Sequence, residues 1–309
     1  MANHVLKGRD PNSNYCACFS EYCDDQEYNE TKGLLSLDDF DTFNQAATEA
    51  IVFYYFRHFK QAAFVDHDVV VADPPSKKDV DVVATGLFGY DVRVEVKTPD
   101  LPVEDGNLHI KMAYRSGNTE ESRRAMLEPC EDLQKNIREN GHDVQIDKLD
   151  DLKIKTFLEN ANKKYGKPSQ EKDINILFVG SDTNIMFDFF RFFTNRTTGT
   201  FSPDPYIKPS DYPNIDYIVF SNCSEGHIDD NFTFNPWDLK NYLCFVLPLK
   251  PSDYSEKHHF VDSIFSSKLQ DLFLYVRQSK NPLPEDFQLA NFISDNCPCF
   301  CLNKSLRKY

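Results

Sequence analysis

Long apolar runs are missing from this chain of 309 residues, and no stretch approaches the roughly 18 to 20 consecutive apolar residues of a membrane-spanning helix. Met1-Ala2-Asn3-His4 begins no secretory signal, so a soluble cytoplasmic protein is expected. Basic residues are in deficit, with 34 Lys and Arg against 49 Asp and Glu and a formal charge of −15. That balance counts against unaided nucleic-acid binding, because such affinity comes largely from neutralising phosphates. The sequence has no Gly-rich phosphate loop, no G-x-S-x-G elbow and no internal repeat. Those absences remove P-loop nucleotide chemistry, α/β-hydrolase chemistry and repeat architectures. Glu225-Gly226-His227 and His258-His259 lack partners at ligand spacing and read as surface loops.

What is present is abundant aromatic residues, 26 Phe and 15 Tyr, which imply a densely aromatic interior or a sizeable protein interface. The length suits one elaborated domain, or one domain with an appendage. Nine cysteines, an odd number, argue for reduced thiols. Cys16, Cys18 and Cys23 lie near one end and Cys297, Cys299 and Cys301 near the other. Neither half has the four-ligand spacing of a closed zinc site, so the alternatives are unligated thiols or one structural Zn²⁺ shared between the ends. Asn296-Cys297-Pro298-Cys299 is similar to the start of a SEC-C metal-binding tail, whose later ligands are missing here.

The densest chemical signal is Lys78-Asp79-Val80-Asp81-Val82-Val83 followed, after a glycine-flanked turn, by Val92-Arg93-Val94-Glu95-Val96-Lys97. Branched apolar residues alternate with charges in both halves, the pattern of a β-hairpin with one buried and one charged face. An even register with Gly86 to Tyr90 as the loop sets Thr85 against Asp91, Asp81 against Glu95 and Asp79 against Lys97. Two carboxylates on one face of an interior sheet repel unless a cation or basic group answers them, which makes this face a candidate metal site. A solvated edge hairpin is the plainer alternative. Asp66-His67-Asp68 looks like a metal triplet, but strand alternation sends His67 to the opposite face from its neighbours.

This arrangement resembles the active site of the PD-(D/E)xK superfamily, the restriction-endonuclease-like nucleases. Glu95-Val96-Lys97 matches the (D/E)xK element, and Asp81, or Asp79 in another register, matches the preceding acid; Lys78 stands where the family name has proline. The resemblance covers roughly residues 39 to 180. It implies an α/β fold, a restriction-endonuclease-like core with a central mixed sheet flanked by helices, plus a C-terminal α/β elaboration. It implies Mg²⁺ or Mn²⁺ held by Asp81, Glu95 and the Val96 carbonyl, with Lys97 serving the attacking water. By matching position, Glu49 is the candidate for a helix glutamate joining the metal shell; a Glu facing solvent or pairing with Arg57 is the alternative. The implied activity is phosphodiester hydrolysis, of DNA first, in restriction or antiphage defence, with a helicase or other ATPase as the kind of partner some relatives use. A non-enzymatic scaffold subunit and an RNA nuclease are the rivals, and homo-oligomerisation is open.

Charge is polarised along the chain: residues 1–50 carry 3 basic and 10 acidic groups, residues 111–172 carry 13 and 12. Lys111, Arg115, Arg123 and Arg124 follow the Glu95/Lys97 strand and are candidates for phosphate contact. The expected organisation is an irregular acidic arm (1–37), a nuclease-like core (38–180) and an extension packed on it (181–309). Within the core the patterns predict a buried helix from Asp38 to about Ala63 and strands at Phe64–Ala72, Lys78–Thr85, Tyr90–Thr98 and Ile174–Gly180. A loop from Pro99 to Gly117 and two helical stretches broken at Pro129 and near Gly141 are expected between the last two. Beyond follow an aromatic helix (Asn184–Thr194), strands at Asp216–Ser221 and Tyr242–Leu247, and an amphipathic helix (Phe265–Gln278).

Overall fold

The computed structural model describes residues 10, 12–33, 39–59, 62–71, 79–99, 108–112, 120–140, 144–148, 154–183, 185–186, 189, 193, 207–227, 234–249 and 256–266. Its centre is a six-stranded mixed sheet. In chain order these are β1 (Phe64–Val69), β2 (Val80–Leu87), β3 (Tyr90–Lys97), β6 (Asp173–Gly180), β7 (Tyr217–Ser221) and β8 (Cys244–Pro248), and they lie side by side in that order. The first three are antiparallel neighbours, β3, β6 and β7 run parallel, and β8 returns antiparallel. A separate pair, β4 (Leu108–Met112) and β5 (Val144–Lys148), is parallel and joined across helix α4 (Glu120–Glu139).

Helix α3 (Phe40–Arg57) starts where Asp39 accepts a hydrogen bond from the Thr42 amide at 2.9 Å. It is buried on most sides, as its apolar residues require. It packs on the face formed by Val80, Val82, Val94 and Val96, all fully buried. Helix α5 (Ile154–Tyr165) covers the other face and buries Leu158, Ala161 and Tyr165. The molecule is therefore α/β, a mixed sheet between helices.

Several sequence expectations need correction. The described part of the N-terminal arm is helical, not irregular: α1 (Asn14–Tyr22) is capped by Ser13 and α2 (Gln26–Thr31) by Asp25, and Tyr15, Cys16, Phe19 and Tyr28 enter the core. Each helix is too short to show a sustained period. The Pro99–Gly117 loop contains β4, whose Leu-His-Ile-Lys-Met alternation was legible. β5 was not expected. Helix α4 runs through Pro129, an exposed site where the lost ladder bond is tolerated. The β2–β3 connection is the two-residue turn Phe88-Gly89, both at positive φ, with a register shift between Ala84 and Leu87. The predicted long first helix ends at Arg57.

Strands β7 and β8 extend the same sheet, so residues beyond 181 continue the core as well as packing on it. Ile185, Met186, Phe189 and Phe193 of the expected aromatic helix are helical and buried. Helix α6 (Glu256–Ile264) was not expected, and most of the Phe265–Gln278 helix lies outside the described residues. Glu225, His227 and His258 are buried, contrary to the surface-loop reading. His227 Nδ1 lies 2.6 Å from the Tyr15 hydroxyl, and His258 pairs with Asp262 at 3.2 Å. No described helix is long and apolar enough to cross a membrane.

The α3–sheet contact is close at Gly180, where a Cβ would lie 2.5 Å from Thr48 Cγ2 and 2.9 Å from Cys223 Sγ. Gly180→Ala is expected to destabilise the fold by about 1–3 kcal/mol through overpacking. The urea midpoint measures it, and an unchanged midpoint would mean that α3 is free to shift.

Candidate active site

The site forms where β2 and β3 part. Their ladder holds through Val82 opposite Val94, which places Asp81 and Glu95 at the next position. There the Asp81 side chain takes over the role of a ladder carbonyl: its Oδ2 accepts from the Val96 amide at 2.7 Å. The expected facing of Asp81, Glu95 and Lys97 is what the structure shows. Lys97 Nζ is 2.6 Å from Glu95 Oε1 and 3.9 Å from Asp81 Oδ2.

A fourth group was missed from sequence. Lys164, at the end of α5, brings its ammonium to 2.7 Å from Glu95 Oε2 and 3.4 Å from Asp81 Oδ1. Two carboxylates and two ammoniums thus alternate in a closed cluster. Tyr165 anchors it: its hydroxyl accepts from the Glu95 amide at 2.9 Å and donates to the Ile176 carbonyl at 2.6 Å, wedged between β3 and β6. Burial, then the Glu95 charge, pushes the Tyr165 hydroxyl well above its usual range, so it stays protonated and able to donate. The Lys163-Lys164-Tyr165 run gave no short-range spacing to Glu95. Only packing of α5 on this face joins them.

Glu95 is fully buried and Asp81 nearly so, while the Lys97 and Lys164 side chains are 21% and 17% exposed. The lysines form the rim and the carboxylates the floor. Burial chiefly, and then the Asp81 charge, pushes the Glu95 carboxyl up to about 7, with Lys97 and Lys164 opposing. Burial works against the charge on Lys164, yet Asp81 and Glu95 hold it above the ordinary lysine value. The two ammoniums thus answer one Glu95 oxygen each.

The other candidate residues are placed differently. Glu49 lies on α3, one turn from Gln45, through which it is linked to the Val96 carbonyl. It pairs with Lys32 at 2.9 Å and accepts from Gln45 Nε2 at 2.7 Å, so it neither faces solvent nor pairs with Arg57. Arg57 instead pairs with Asp25 at 3.3 Å. Gln45, also missed, donates to the Val96 carbonyl at 3.0 Å, an atom that Lys97 Nζ also reaches at 2.8 Å. Asp79 sits half-buried just before β2, and Lys97 takes Glu95 in its place. In the former triplet Asp68 adopts positive φ and binds Lys32 and His67, each at 2.8 Å. Lys111 is on β4 and Arg123 and Arg124 are on α4, with only their backbone described; Arg115 lies outside the described residues. Cys16, Cys18 and Cys23 are free thiols, and Cys297, Cys299 and Cys301 lie outside the described residues. Among the described residues no three His, Cys, Asp or Glu side chains converge as a metal site.

Compared with protein-family models, with curated proteins and with solved structures, the chain matches none.

The raised carboxyl makes a pH prediction. The folded state holds the Glu95 proton more tightly than the unfolded chain, so this stabilisation is present below about 4.5 and lost as pH rises through about 7. Glu95→Gln should therefore gain stability relative to wild type between pH 5 and pH 8, by about 1–3 kcal/mol. Urea unfolding at the two pH values tests it, and an equal difference between variant and wild type at both would count against an elevated Glu95.

Proposed function

We propose that the protein is a divalent-metal-dependent nuclease of the PD-(D/E)xK, restriction-endonuclease-like class, acting on DNA. The observation that carries this reading is the convergence of Asp81, Glu95 and Lys97 on one buried face where two strands part. The strand order β1-β2-β3-β6, with a helix before β1 and another before β6, supports it.

The donor set suits a hard cation. Mg²⁺ takes one or two carboxylates and completes its shell with waters and substrate phosphate. Asp81, Glu95 and the Val96 carbonyl would hold it, in exchange for lysine contacts that the two Glu95 oxygens now make. Bound there, the ion would acidify a water and neutralise phosphate charge. Lys97 and Lys164 sit at the open side and would meet the substrate first, one orienting the water and the other stabilising charge on the phosphate in the transition state. The Asp81 contact to the Val96 amide fixes its carboxylate before any ligand arrives.

A second reading has its own support. Both carboxylates already have lysine partners, and a satisfied cluster of this kind also suits a non-enzymatic scaffold. Plasmid cleavage with and without Mg²⁺ separates the two. Wild type should cleave only with metal, and Glu95→Ala or Lys97→Ala should lose at least about 100-fold while keeping the fold. Absence of metal-dependent cleavage of both DNA and RNA by wild type would favour the scaffold; cleavage of RNA alone would move the substrate class.

Substrate engagement is proposed for the basic residues after β3. Reversing Arg115, Arg123 and Arg124 to Glu should weaken DNA binding across sequences and flatten its salt dependence by about one log–log unit per lost phosphate contact. Fluorescence anisotropy across a salt series measures this. An unaltered slope would place the binding surface elsewhere, such as on an ATPase partner that offsets the charge of −15.

A further inference from the structure

The Gln45 amide is saturated. Its Nε2 donates to the Val96 carbonyl at 3.0 Å and to Glu49 Oε1 at 2.7 Å. Its Oε1 accepts from the Thr98 amide at 2.9 Å and from the Thr98 hydroxyl at 3.0 Å. These contacts use the two donors and two acceptors of a carboxamide and leave it one orientation. Three of the four grip the end of β3 on either side of Lys97. The fourth runs to Glu49, whose other oxygen is held by Lys32 at the end of α2, and Lys32 also holds Asp68.

We infer that Gln45 is a positioning residue that sets the Val96 carbonyl and the β3 terminus for cation binding, and that it ties the N-terminal helices to the site. The inference rests on the metal-dependent reading above. The Val96 carbonyl is the one backbone atom in the proposed ligand set, and a backbone ligand cannot be aimed by its own side chain. Its direction is set by the residues that hold the strand. Lys97 shares this carbonyl, and an ion binding there would displace that ammonium and leave Gln45 as the remaining support. Partners behind metal ligands typically contribute 10- to 100-fold in affinity.

The test is Mn²⁺ binding to the full-length protein, followed by electron paramagnetic resonance of the free ion. Variants are Glu95→Gln, Gln45→Leu and Thr98→Val, the last nearly isosteric and removing one hydroxyl contact. Glu95→Gln should lose binding, Gln45→Leu should raise the Kd about tenfold, and Thr98→Val about threefold. In cleavage assays the metal concentration for half-maximal rate should rise in parallel for Gln45→Leu, while the rate at saturating metal stays within about threefold of wild type. If Glu95→Gln loses Mn²⁺ but Gln45→Leu and Thr98→Val bind it like wild type, the positioning role is wrong and the metal site stands. If wild type binds no Mn²⁺, the metal site and the positioning role fall together. Should Gln45→Leu not fold, Thr98→Val decides the matter alone.

Discussion

The structure turns on keeping one carboxylate, Glu95, fully buried beside another, Asp81. An ionised carboxylate without partners cannot be held in a protein interior at tolerable cost. Two ammoniums therefore have to be brought in from different directions. Lys97 comes from the same strand, two residues on, where strand alternation returns it to the same face. Lys164 comes from a helix almost seventy positions later in the chain, and arrives only because Tyr165 is locked between β3 and β6. The opening of the β2–β3 ladder belongs to the same solution, since Asp81 then satisfies the Val96 amide that the ladder leaves.

Charge alternation continues beyond the floor of the site. Lys97 and Gln45 meet at the Val96 carbonyl, Gln45 meets Glu49, and Lys32 bridges Glu49 and Asp68. Burial works against the Lys32 charge, but Glu49 and Asp68 keep it above the usual lysine value. The N-terminal helices are thus held by ion pairs as well as by apolar contact such as the Tyr28–Phe53 stack, whose centroids lie 4.0 Å apart. A cluster in which lysines already stand where cations are wanted can exchange one positive charge for another with little change in the net field. That exchange is what the proposed chemistry asks of it.

Where acidity sits also matters. The carboxylates that converge on the site are compensated locally, so the formal charge of −15 resides largely on other surfaces. On the proposed nuclease reading, long-range repulsion of a polyanion would be met by a partner or by the basic residues after β3, and would weaken with salt.

The sequence by itself determined the hairpin, its two faces and the meeting of Asp81, Glu95 and Lys97, because a period of two in adjacent strands is local information. It also determined the buried helix and the strands that follow, whose apolar patterns exceed what a surface element carries. What it left open were groups brought in from afar. Lys164, Tyr165 and Gln45 occupy helices whose local pattern says only which side is apolar, and Lys32 follows a helix too short to show a pattern. Which polar residue on such a helix meets which strand depends on the angle and height at which helix and sheet pack, and no short-range spacing encodes that. The same reason hid the link from Glu49 to the strand: being one turn from Gln45 on α3 was legible, but that Gln45 joins Glu49 to the Val96 carbonyl was decided by tertiary packing.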